Sequence, residues 1–591
     1  MKFGFPFSRV FAFGCFFVFL IECDTVSNFH ISDEKPEQEA KLLQIEGSAE
    51  KRNRYEIIGN EFVIATDHPL ASEAGVQVFK EGGNVVDAFA SASFVISVVR
   101  PHSTGLLGGG FAIINFADSR TKRAFDFRER ASKQAKSEFY FDTDGKPDSK
   151  KILTGPYSVG VPGNIQGILT IQKKYGKLPP AKIIAPAINA ARRGISVYGD
   201  LAKTIQNVWP EMNTEMKQIF GKENRPLREG ELLVQEDLAK TLEKISENGI
   251  SEITYGSTAK RIIEYYESRD RFLSSEDLLN YKVKESDPLL ANMFGQDVLM
   301  MPPPSSSVFL GLISNVYSEL KSKKPFPSGN VGEIIRITEA MKVGYRDRLQ
   351  LGGDPEFTDV PINLLLSQSY AKKEATEIVK RVVAGSLAEN TNPNLLLPKE
   401  SYNTTHISVL DRNGDAVSST QSINGPFGAA ILVPDTGLIL NNTMDDFSIA
   451  PGVPNLYGLI GSEANSISPG KTPLSSMSPL IFVDTKGVAE LVIGAPGGSQ
   501  IPTSIFNTLY HYKERKRTLY ESVSFPRLHH QFLPEILYID PEYKFSFPEE
   551  ELKFYKIQYQ RHRAKVFAVT KEGQKLVGVS DPKGEGIPLG F

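Results

Sequence analysis

Apolar and polar positions alternate most clearly over residues 404–410. His406 and Ser408 fall on one face of this stretch, together with Leu410. A period of two predicts a half-buried β-strand. Residues 411–414 have the composition of a hairpin turn, so we expect residues 415–422 to return as the second strand.

The remaining pattern predicts a mixture of strands and helices. We expect strands at 56–65, 111–116, 430–433, 438–441, 480–483 and 489–493, and helices at 71–81, 87–99, 330–350 and 503–513. Residues 160–290 alternate helices with polar turns. Three prolines at 302–304 exclude a helix interior or a central strand there. Strands and helices in this order predict sheets covered by helical layers.

Length, charge and cysteine content exclude several classes of protein. With 591 residues the chain exceeds one compact core, so we expect two lobes or one large layered unit. A net charge of −3 gives no general attraction to nucleic acid. The only cysteines are Cys15 and Cys23. The rest of the chain therefore has no cysteine nucleophile, disulfide framework or thiolate zinc site.

The N-terminal segment has the pattern of an export signal. Lys2 and Arg9 supply positive charge, and residues 10–21 form an apolar run shorter than the roughly 20 residues of a membrane span. We expect a signal peptide over 1–23, a flexible linker over 24–54 and a periplasmic or secreted protein. Lipidation at Cys23 stays open as an alternative, although Glu22 stands where a lipoprotein signal has a small residue.

Common catalytic motifs do not occur in this sequence. There is no H-E-x-x-H metalloprotease motif and no G-x-S-x-G nucleophile elbow. The glycines of residues 105–110 do not have the spacing of a dinucleotide fingerprint. We expect the adjacent pair His529 and His530 to be structural.

One candidate for nucleophilic chemistry lies where the alternating strand begins. A threonine hydroxyl is a poor nucleophile unless a base lies beside it. If the bond between Asn403 and Thr404 were cut, the new α-amine, with an ordinary pKa of about 7.7–8.0, would be that base. The residues themselves do not show that the bond is cut, so an ordinary strand role for Thr404 stays open.

Three polar or glycine-rich segments complete a candidate site. Residues 494–500 place two glycines after an apolar strand, where successive N–H groups can face one anion. Residues 441–447 offer carboxylates for an amine, and residues 471–477 offer hydroxyls for a carboxylate. Together they can hold an α-amino acid, although each segment alone is compatible with an ordinary loop.

These segments occur in an order that resembles the γ-glutamyltransferase (glutathione hydrolase) family, in particular its bacterial type. The resemblance extends from about residue 55 to residue 591 and is carried by residues 80–88, 103–111, 126–129, 301–306, 404–409, 441–448, 473–479, 494–501 and 526–530. It implies an α+β fold, the αββα four-layer sandwich of N-terminal nucleophile hydrolases. It also implies self-cleavage into a large subunit, 55–403, and a small subunit, 404–591, which stay together as a heterodimer.

The resemblance further implies acyl transfer without a metal or organic cofactor. Thr404 would attack the γ-glutamyl amide of glutathione or a similar compound. The backbone N–H groups of Gly497 and Gly498 would form the oxyanion hole. The γ-glutamyl ester would then pass to water or to an amino acid or peptide.

By the same resemblance, a second group of residues binds the substrate head group. Arg128, Ser475 and Ser476 match residues that hold the α-carboxylate. Asn424 and Asp446 match residues that hold the α-amino group.

Two positions depart from the family pattern. Thr443 replaces the usual Glu or Gln, and its shorter side chain predicts weaker discrimination for the α-amino group. Ser422 replaces the usual Thr near the nucleophile, and because the hydroxyl is kept we expect a small effect.

Two alternatives stay open at this point. A glutaryl or cephalosporin acylase of the same superfamily would not need an α-amine, which Thr443 favours. Residues 451–458, with Tyr457, resemble the lid loop of bacterial transferases and favour the transferase. A relative that binds without cleaving itself is the second alternative, and retention of Thr404 and Arg128 speaks against it.

Overall fold

The computed structural model of the chain describes residues 49–269, 272–387, 403–546 and 549–591. The predicted signal peptide, Cys23 and residues 24–48 of the predicted linker lie outside the described residues. Within the described ranges, no helix combines the length and apolar character needed to cross a membrane.

Two seven-stranded antiparallel sheets form the centre of the molecule. Sheet I contains, in spatial order, Leu589–Gly590, Phe62–Ala65, Thr405–Asp411, Ala416–Ser422, Gly109–Phe116, Thr121–Asp126 and Lys284–Ser286. Sheet II contains, in spatial order, Glu56–Gly59, Lys575–Ser580, Phe567–Glu572, Ala489–Gly494, Leu480–Val483, Gln296–Met300 and Leu289–Met293. The predicted hairpin at 404–422 is therefore confirmed, and its two strands lie in the middle of sheet I.

Both faces of sheet I are buried, each in a different hydrophobic core. Phe62 and Ile64 pack in the core under the outer helices, whereas Val63 and Ala65 pack in the core shared with sheet II. Successive residues of a strand point to opposite faces, so one short strand contributes to two cores.

Helices cover the outer face of each sheet. The longer helices over sheet I are Pro69–Lys80, Val85–Val99, Asn164–Tyr175, Pro180–Arg193, Gly199–Val208, Glu236–Asn248 and Ser257–Glu267. Those over sheet II are Ser307–Lys321, Gly329–Leu351, Gln368–Ala384 and Ile501–Leu509. Shorter helices are Ala49–Tyr55, Ser149–Leu153, Thr214–Ile219, Ser251–Thr254, Ser275–Asn280, Ile362–Leu365 and Leu519–Ser524. This arrangement is the expected αββα sandwich.

Three small sheets lie outside the sandwich. One joins Leu528–His529, Leu537–Ile539 and Ile557–Tyr559, and the other two pair Ile195–Ser196 with Leu232–Leu233 and Gly221–Lys222 with Arg225–Pro226.

The buried helix Val85–Val99 shows how local sequence fixes an element of the sandwich. Its Asn84 side chain accepts hydrogen bonds from the N–H groups of Val86 and Asp87, and the Asp87 carboxylate accepts one from the Asn84 N–H. This reciprocal capping box satisfies N–H groups that a helix start leaves free. The Ala and Ser residues of the helix then allow close packing on sheet I.

Several predicted boundaries were wrong. Residues 56–65 are two strands, Glu56–Gly59 in sheet II and Phe62–Ala65 in sheet I, because the chain changes sheets at Asn60 and Glu61. The N–H groups of Asn60 and Glu61 both donate to the Phe591 carbonyl at 2.8 Å, which stabilises the change of direction.

The expected strands at 430–433 and 438–441 were also wrong. They reduce to isolated bridges, one of which pairs Leu432 with Ile439. Ala430 and Asp435 adopt positive φ angles of 58° and 60°, which interrupt an extended strand. The helix expected at 503–513 begins earlier, at Ile501, and continues beyond Leu509 as a π-helical turn.

Candidate active site

Thr404 lies at the start of the central strand Thr405–Asp411 and is 4% exposed. Two residues further along, His406 points toward sheet II and lies against Gly494. A Cβ atom on Gly494 would lie 2.2 Å from the His406 ring, so the close approach of the sheets requires glycine there.

The Thr404 and Ser422 hydroxyls surround the carbonyl group of Asn403. Thr404 Oγ1 donates to that carbonyl oxygen, and Ser422 Oγ donates to it at 3.1 Å. The two hydroxyl oxygens are 3.3 Å apart, and Ser422 Oγ also accepts from the Asn424 N–H at 2.9 Å. The Thr404 hydroxyl is thus held beside the peptide group whose cleavage would free its own α-amine.

His406 is not a candidate base for Thr404. Its Nε2 is 2.9 Å from Ser408 Oγ, which donates to the Phe567 carbonyl, and its Nδ1 is 2.8 Å from Thr420 Oγ1. Because Ser408 uses its hydrogen on Phe567, Nε2 is the protonated nitrogen. Burial lowers the pKa of His406 to about 3, so the ring is neutral and serves to join the sheets.

Gly497 and Gly498 follow the strand Ala489–Gly494 in a buried turn. Their φ angles are 132° and 54°, in the region that favours glycine. In the part of the chain that the structure describes, neither N–H group donates to a protein acceptor. Buried N–H groups without an acceptor are rare in folded proteins, so this pair is suited to bind an oxyanion.

Arg128 lies just beyond the strand Thr121–Asp126 and is buried. Its Nη2 donates to Asp446 Oδ2 at 2.7 Å, and its Nη1 donates to Glu129 Oε2 at 3.1 Å. Thr443 Oγ1 donates to the other Glu129 oxygen at 2.7 Å. The Thr443 hydroxyl is therefore used to fix Glu129.

Two adjacent carboxylates follow Thr443 in a short 3₁₀ turn. Burial, with repulsion from Asp446, raises the pKa of Asp445 to about 7. Burial also raises the pKa of Asp446, and the neighbouring Arg128 opposes this rise. Asp446 is therefore the carboxylate that accepts a hydrogen bond from Arg128, while Asp445 retains a proton close to neutral pH.

Asn424 and Tyr457 connect the segment that carries Asp445 with the glycine turn at Gly498. Asn424 has a φ of 71°, and its Nδ2 donates to the Asn442 carbonyl at 3.1 Å and to Asp445 at 3.4 Å. The Tyr457 hydroxyl donates to the Asn424 carbonyl, and the Tyr457 ring lies against Gly498.

Ser475 and Ser476 lie in the segment before the strand Leu480–Val483. Ser475 Oγ accepts from the Met477 N–H at 3.2 Å, and Ser476 Oγ accepts from Nη2 of Arg348 at 3.3 Å. Leu474, the residue before Ser475, lines a narrow cavity together with Arg348, Asp446 and others.

Hydrogen bonds thus connect several of the expected site residues. Thr404, Ser422 and Asn424 are joined by hydrogen bonds, as are Arg128 and Asp446. Sequence reasoning missed Glu129, Gln531 and Arg348. Gln531 Nε2 donates to the Gly458 carbonyl and so holds the segment that carries Tyr457.

A signal for Arg348 was present in the sequence. It follows Met341 and Tyr345 at helical spacing, on the apolar face of the helix Gly329–Leu351. A charged residue on such a face indicates a functional or network role, because arginine is almost never buried without a partner.

The two histidines expected to be structural are buried. His529 lies 2.8 Å from Thr503 Oγ1 and 3.0 Å from Gln531 Oε1, and burial lowers its pKa to about 3. No group of three or more His, Cys, Asp or Glu side chains suited to a metal ion occurs among the described residues.

Comparison with known proteins identifies extended similarity. A family described as gamma-glutamyltranspeptidase matches residues 71–591. The glutathione hydrolase proenzyme of Escherichia coli (strain K12) is 37% identical over 532 residues, which cover 88% of this chain and 90% of that protein. The glutathione hydrolase proenzyme of Pseudomonas aeruginosa is 34% identical over 536 residues, covering 89% of this chain and 94% of that protein.

Solved structures extend the comparison to the fold. Cephalosporin acylase from Bacillus halodurans superposes with a TM-score of 0.77 at 22% identity, covering 91% of this chain and 97% of that chain. At that identity the likeness shows the fold alone. The gamma-glutamyltranspeptidase of Helicobacter pylori is 35% identical with a TM-score of 0.50, covering 53% of this chain and 90% of that chain.

Proposed function

The chain belongs to the γ-glutamyltranspeptidase family, and from that premise we propose how its own residues carry out the family reaction. The protein is a γ-glutamyltransferase and glutathione hydrolase, an N-terminal nucleophile enzyme made as a proenzyme and processed into two subunits. It acts on small-molecule substrates. The residue roles below, the cleavage position and the individual substrates are our proposal.

The proposal begins with self-cleavage between Asn403 and Thr404. Thr404 Oγ1 attacks the Asn403 carbonyl carbon, the C–N bond breaks, and the hydroxyl proton passes to the Thr404 nitrogen. Water then hydrolyses the ester and leaves a carboxylate on Asn403 and a free α-amine on Thr404. The single observation that carries the proposal is the contact of both the Thr404 and Ser422 hydroxyls with this carbonyl.

Turnover uses the same hydroxyl with the new α-amine as its base. The amine takes the hydroxyl proton as Thr404 Oγ1 attacks the γ-carbonyl carbon of glutathione. The N–H groups of Gly497 and Gly498 stabilise the oxyanion that forms. Cysteinylglycine leaves with that proton, and the γ-glutamyl ester is transferred to water or to the amine of an amino acid or peptide.

The substrate head group binds by exchange with the Arg128–Asp446 pair. An α-amino acid carries one negative and one positive charge. Its carboxylate replaces Asp446 on the Arg128 guanidinium, with Ser475 and Ser476 as further donors, and its ammonium group binds Asp446 and the Asn424 side chain. The 2.7 Å contact between Arg128 and Asp446 supports this exchange, because it places groups of both signs together.

The comparisons favour the transferase over the acylase alternative, since the Escherichia coli and Pseudomonas aeruginosa relatives, at 37% and 34% identity, are named for glutathione hydrolysis. The contact between the Tyr457 ring and Gly498 is consistent with a lid over the oxyanion hole. Release of aniline from γ-glutamyl and glutaryl anilides compares the two activities directly. Export through residues 1–23 remains a proposal, which N-terminal sequencing of the large subunit tests.

Intact-mass measurement with N-terminal sequencing tests the nucleophile. We expect two fragments from the native chain, one beginning Thr-Thr-His-Ile, and one uncut chain from Thr404→Ala. Thr404→Ser is the matched control, because it keeps a hydroxyl and is expected to cleave. A native chain that stays whole, or a Thr404→Ala chain that is cut at the same bond, would overturn the proposed mechanism.

A further inference from the structure

Arg348 is a buried cation with an unusual set of partners. The residue is 6% exposed, and its guanidinium donates to two serine hydroxyls. Across the described ranges it forms no ion pair with a carboxylate, and burial lowers its pKa. Removing a charge from water is costly unless another group compensates, so the surroundings of Arg348 imply a use for that charge.

The guanidinium joins two segments of the chain. Nε donates to Ser306 Oγ at 2.9 Å, and Nη2 donates to Ser476 Oγ at 3.3 Å. Ser306 Oγ in turn donates to the Ser475 carbonyl at 2.6 Å. Arg348 therefore holds Ser476 directly and Ser475 through Ser306.

These contacts determine whether the hydroxyls of Ser475 and Ser476 act as hydrogen-bond donors or acceptors. A hydroxyl has one hydrogen to donate and two lone pairs to accept. Ser476 Oγ accepts from Arg348, and Ser475 Oγ accepts from the Met477 N–H. The hydrogens of both hydroxyls are therefore left for an acceptor, and a carboxylate is an acceptor with no hydrogen of its own.

Arg348 also lies on the same cavity as Asp446, a residue that we propose binds the substrate. Arg348 and Asp446 line the same narrow cavity, and Asp446 is paired with Arg128. Resting on the proposed function, we propose that Arg348 is a positioning residue for the substrate α-carboxylate. It orients Ser476, and through Ser306 also Ser475, as hydrogen-bond donors, and its charge compensates that of the bound carboxylate.

A neighbouring arginine provides a matched control. Arg346 lies two residues earlier on the same helix and pairs with Asp347 at 2.7 Å and Glu374 at 3.0 Å. Arg346 is partly exposed and has carboxylate partners. Its replacement therefore shows the effect of losing an arginine from this helix while the hydrogen bonds of Arg348 to the serines are kept.

The test compares Arg348→Gln, Arg348→Lys and Arg346→Gln with the native enzyme. The measurements are the rate of self-cleavage by intact mass, and KM and kcat for a γ-glutamyl anilide. Self-cleavage uses Thr404 but no substrate carboxylate. A variant that disturbs the fold of the site would therefore slow self-cleavage, whereas one that affects only carboxylate binding would not. For Arg348→Gln we expect KM to rise about 10- to 100-fold, because hydrogen bonds to charged groups are lost, with kcat and self-cleavage near native.

Arg348→Lys keeps the positive charge but lacks the planar guanidinium that donates to two serines at once. We therefore expect its KM to lie between those of the native enzyme and Arg348→Gln. Arg346→Gln is expected to behave as the native enzyme. An unchanged KM in Arg348→Gln, or equal losses in kcat and self-cleavage, would overturn the inference.

Ser306→Ala is a second variant for the case in which Arg348→Gln does not fold. It removes the connection to Ser475 and leaves the arginine in place, and we expect KM to rise about 3- to 10-fold with self-cleavage unchanged. An unchanged KM in this variant would also contradict the inference. If the native protein releases no aniline from a γ-glutamyl anilide, it is the proposed function that fails instead.

Discussion

The hydroxyl of Tyr457 donates to the backbone carbonyl of Asn424 at 2.8 Å. The ring of the same tyrosine packs on Gly498, where an added Cβ would lie 2.2 Å from Cδ1. One side chain therefore joins a proposed contact of the α-amino group to the proposed oxyanion hole. A change at Tyr457 is expected to affect substrate binding and the reaction together.

Tyr457→Phe keeps the ring and removes this hydrogen bond. We expect kcat/KM for a γ-glutamyl anilide to fall about 2- to 10-fold, the range of one ordinary hydrogen bond. Tyr512→Phe is a suitable control, because its hydroxyl contacts Thr570 outside the site. The measurement is steady-state kinetics. Equal kcat/KM values for the native enzyme and Tyr457→Phe would exclude a role for this hydrogen bond.

Gly498→Ala tests the oxyanion hole through its backbone. The new Cβ would collide with the Tyr457 ring, and φ is 54°. We expect kcat to fall roughly 100-fold, as when one oxyanion donor is lost. Gly573→Ala controls for backbone strain, since its φ is 65° and nothing lies within 4 Å. If both variants lose activity alike, strain and not the oxyanion hole explains the loss.

Ser422→Ala removes one hydrogen-bond donor to the Asn403 carbonyl and leaves the Asn424 N–H without its acceptor. We expect self-cleavage to slow roughly 10- to 100-fold, because a hydrogen bond to the developing negative charge on that oxygen is lost. Ser422→Thr keeps the hydroxyl and is expected to cleave at nearly the native rate. The measurement is the fraction of cut chain against time, with Ser419→Ala as control because Ser419 contacts Phe111 instead. Native-like cleavage in Ser422→Ala would contradict this role.

Thr443→Gln restores a side-chain length typical of the family. Glutamine can still donate to Glu129 and can reach further toward the substrate, so we expect KM for a γ-glutamyl anilide to fall. Thr443→Val keeps the shape of threonine and loses the hydroxyl that donates to Glu129. It is therefore expected to raise KM. An unchanged KM in Thr443→Gln would mean that Thr443 does not weaken recognition of the α-amino group.

Asp445 predicts a pH dependence of stability. Its pKa is about 7 in the folded protein, above the ordinary value of 3.8, so the folded state binds the proton more tightly. The stability contributed by the protonated group is complete below pH of about 4 and is lost as pH rises through about 7.

Asp445→Asn mimics the protonated carboxyl and has no such titration. We expect the Tm of the native protein, relative to this variant, to decrease between pH 5 and pH 8, corresponding to a loss of about 3 kcal/mol in the free energy of unfolding. Asp435→Asn, an exposed position, should show no such trend. A constant difference between native and Asp445→Asn would contradict the raised pKa.

The sequence predicted the central hairpin because its side chains alternate strictly and a clear turn signal separates its strands. It also indicated the glycine turn at 494–500, which lies between the strand Ala489–Gly494 and the helix Ile501–Leu509. Residues 430–433 and 438–441 have the apolar composition of strands, but they belong to an irregular buried loop, and composition alone does not separate the two. The positive φ angles at Ala430 and Asp435 depend on tertiary packing. The short-range pattern of apolar and polar residues therefore does not predict them.

The assembly of the site could not be worked out from spacing alone. The contacts between Arg128 and Asp446, and between Arg348 and Ser476, join residues far apart in the chain. Helical periodicity is compatible with a buried position for Arg348, but it does not identify the residue that Arg348 contacts. The family resemblance supplied the roles of individual residues, and the contacts of Arg348 became visible only in three dimensions.

The order of strands in sheet I has a consequence for the processed enzyme. Phe62–Ala65, which precedes the proposed cleavage site, lies between Leu589–Gly590 and Thr405–Asp411, which follow it. Cutting the chain at residue 404 removes one covalent bond and none of the hydrogen bonds between these strands. Separating the fragments would require breaking the middle of the sheet, and refolding would then be a bimolecular reaction. The processed enzyme should therefore persist through a slow rate of unfolding, having folded once as a single chain.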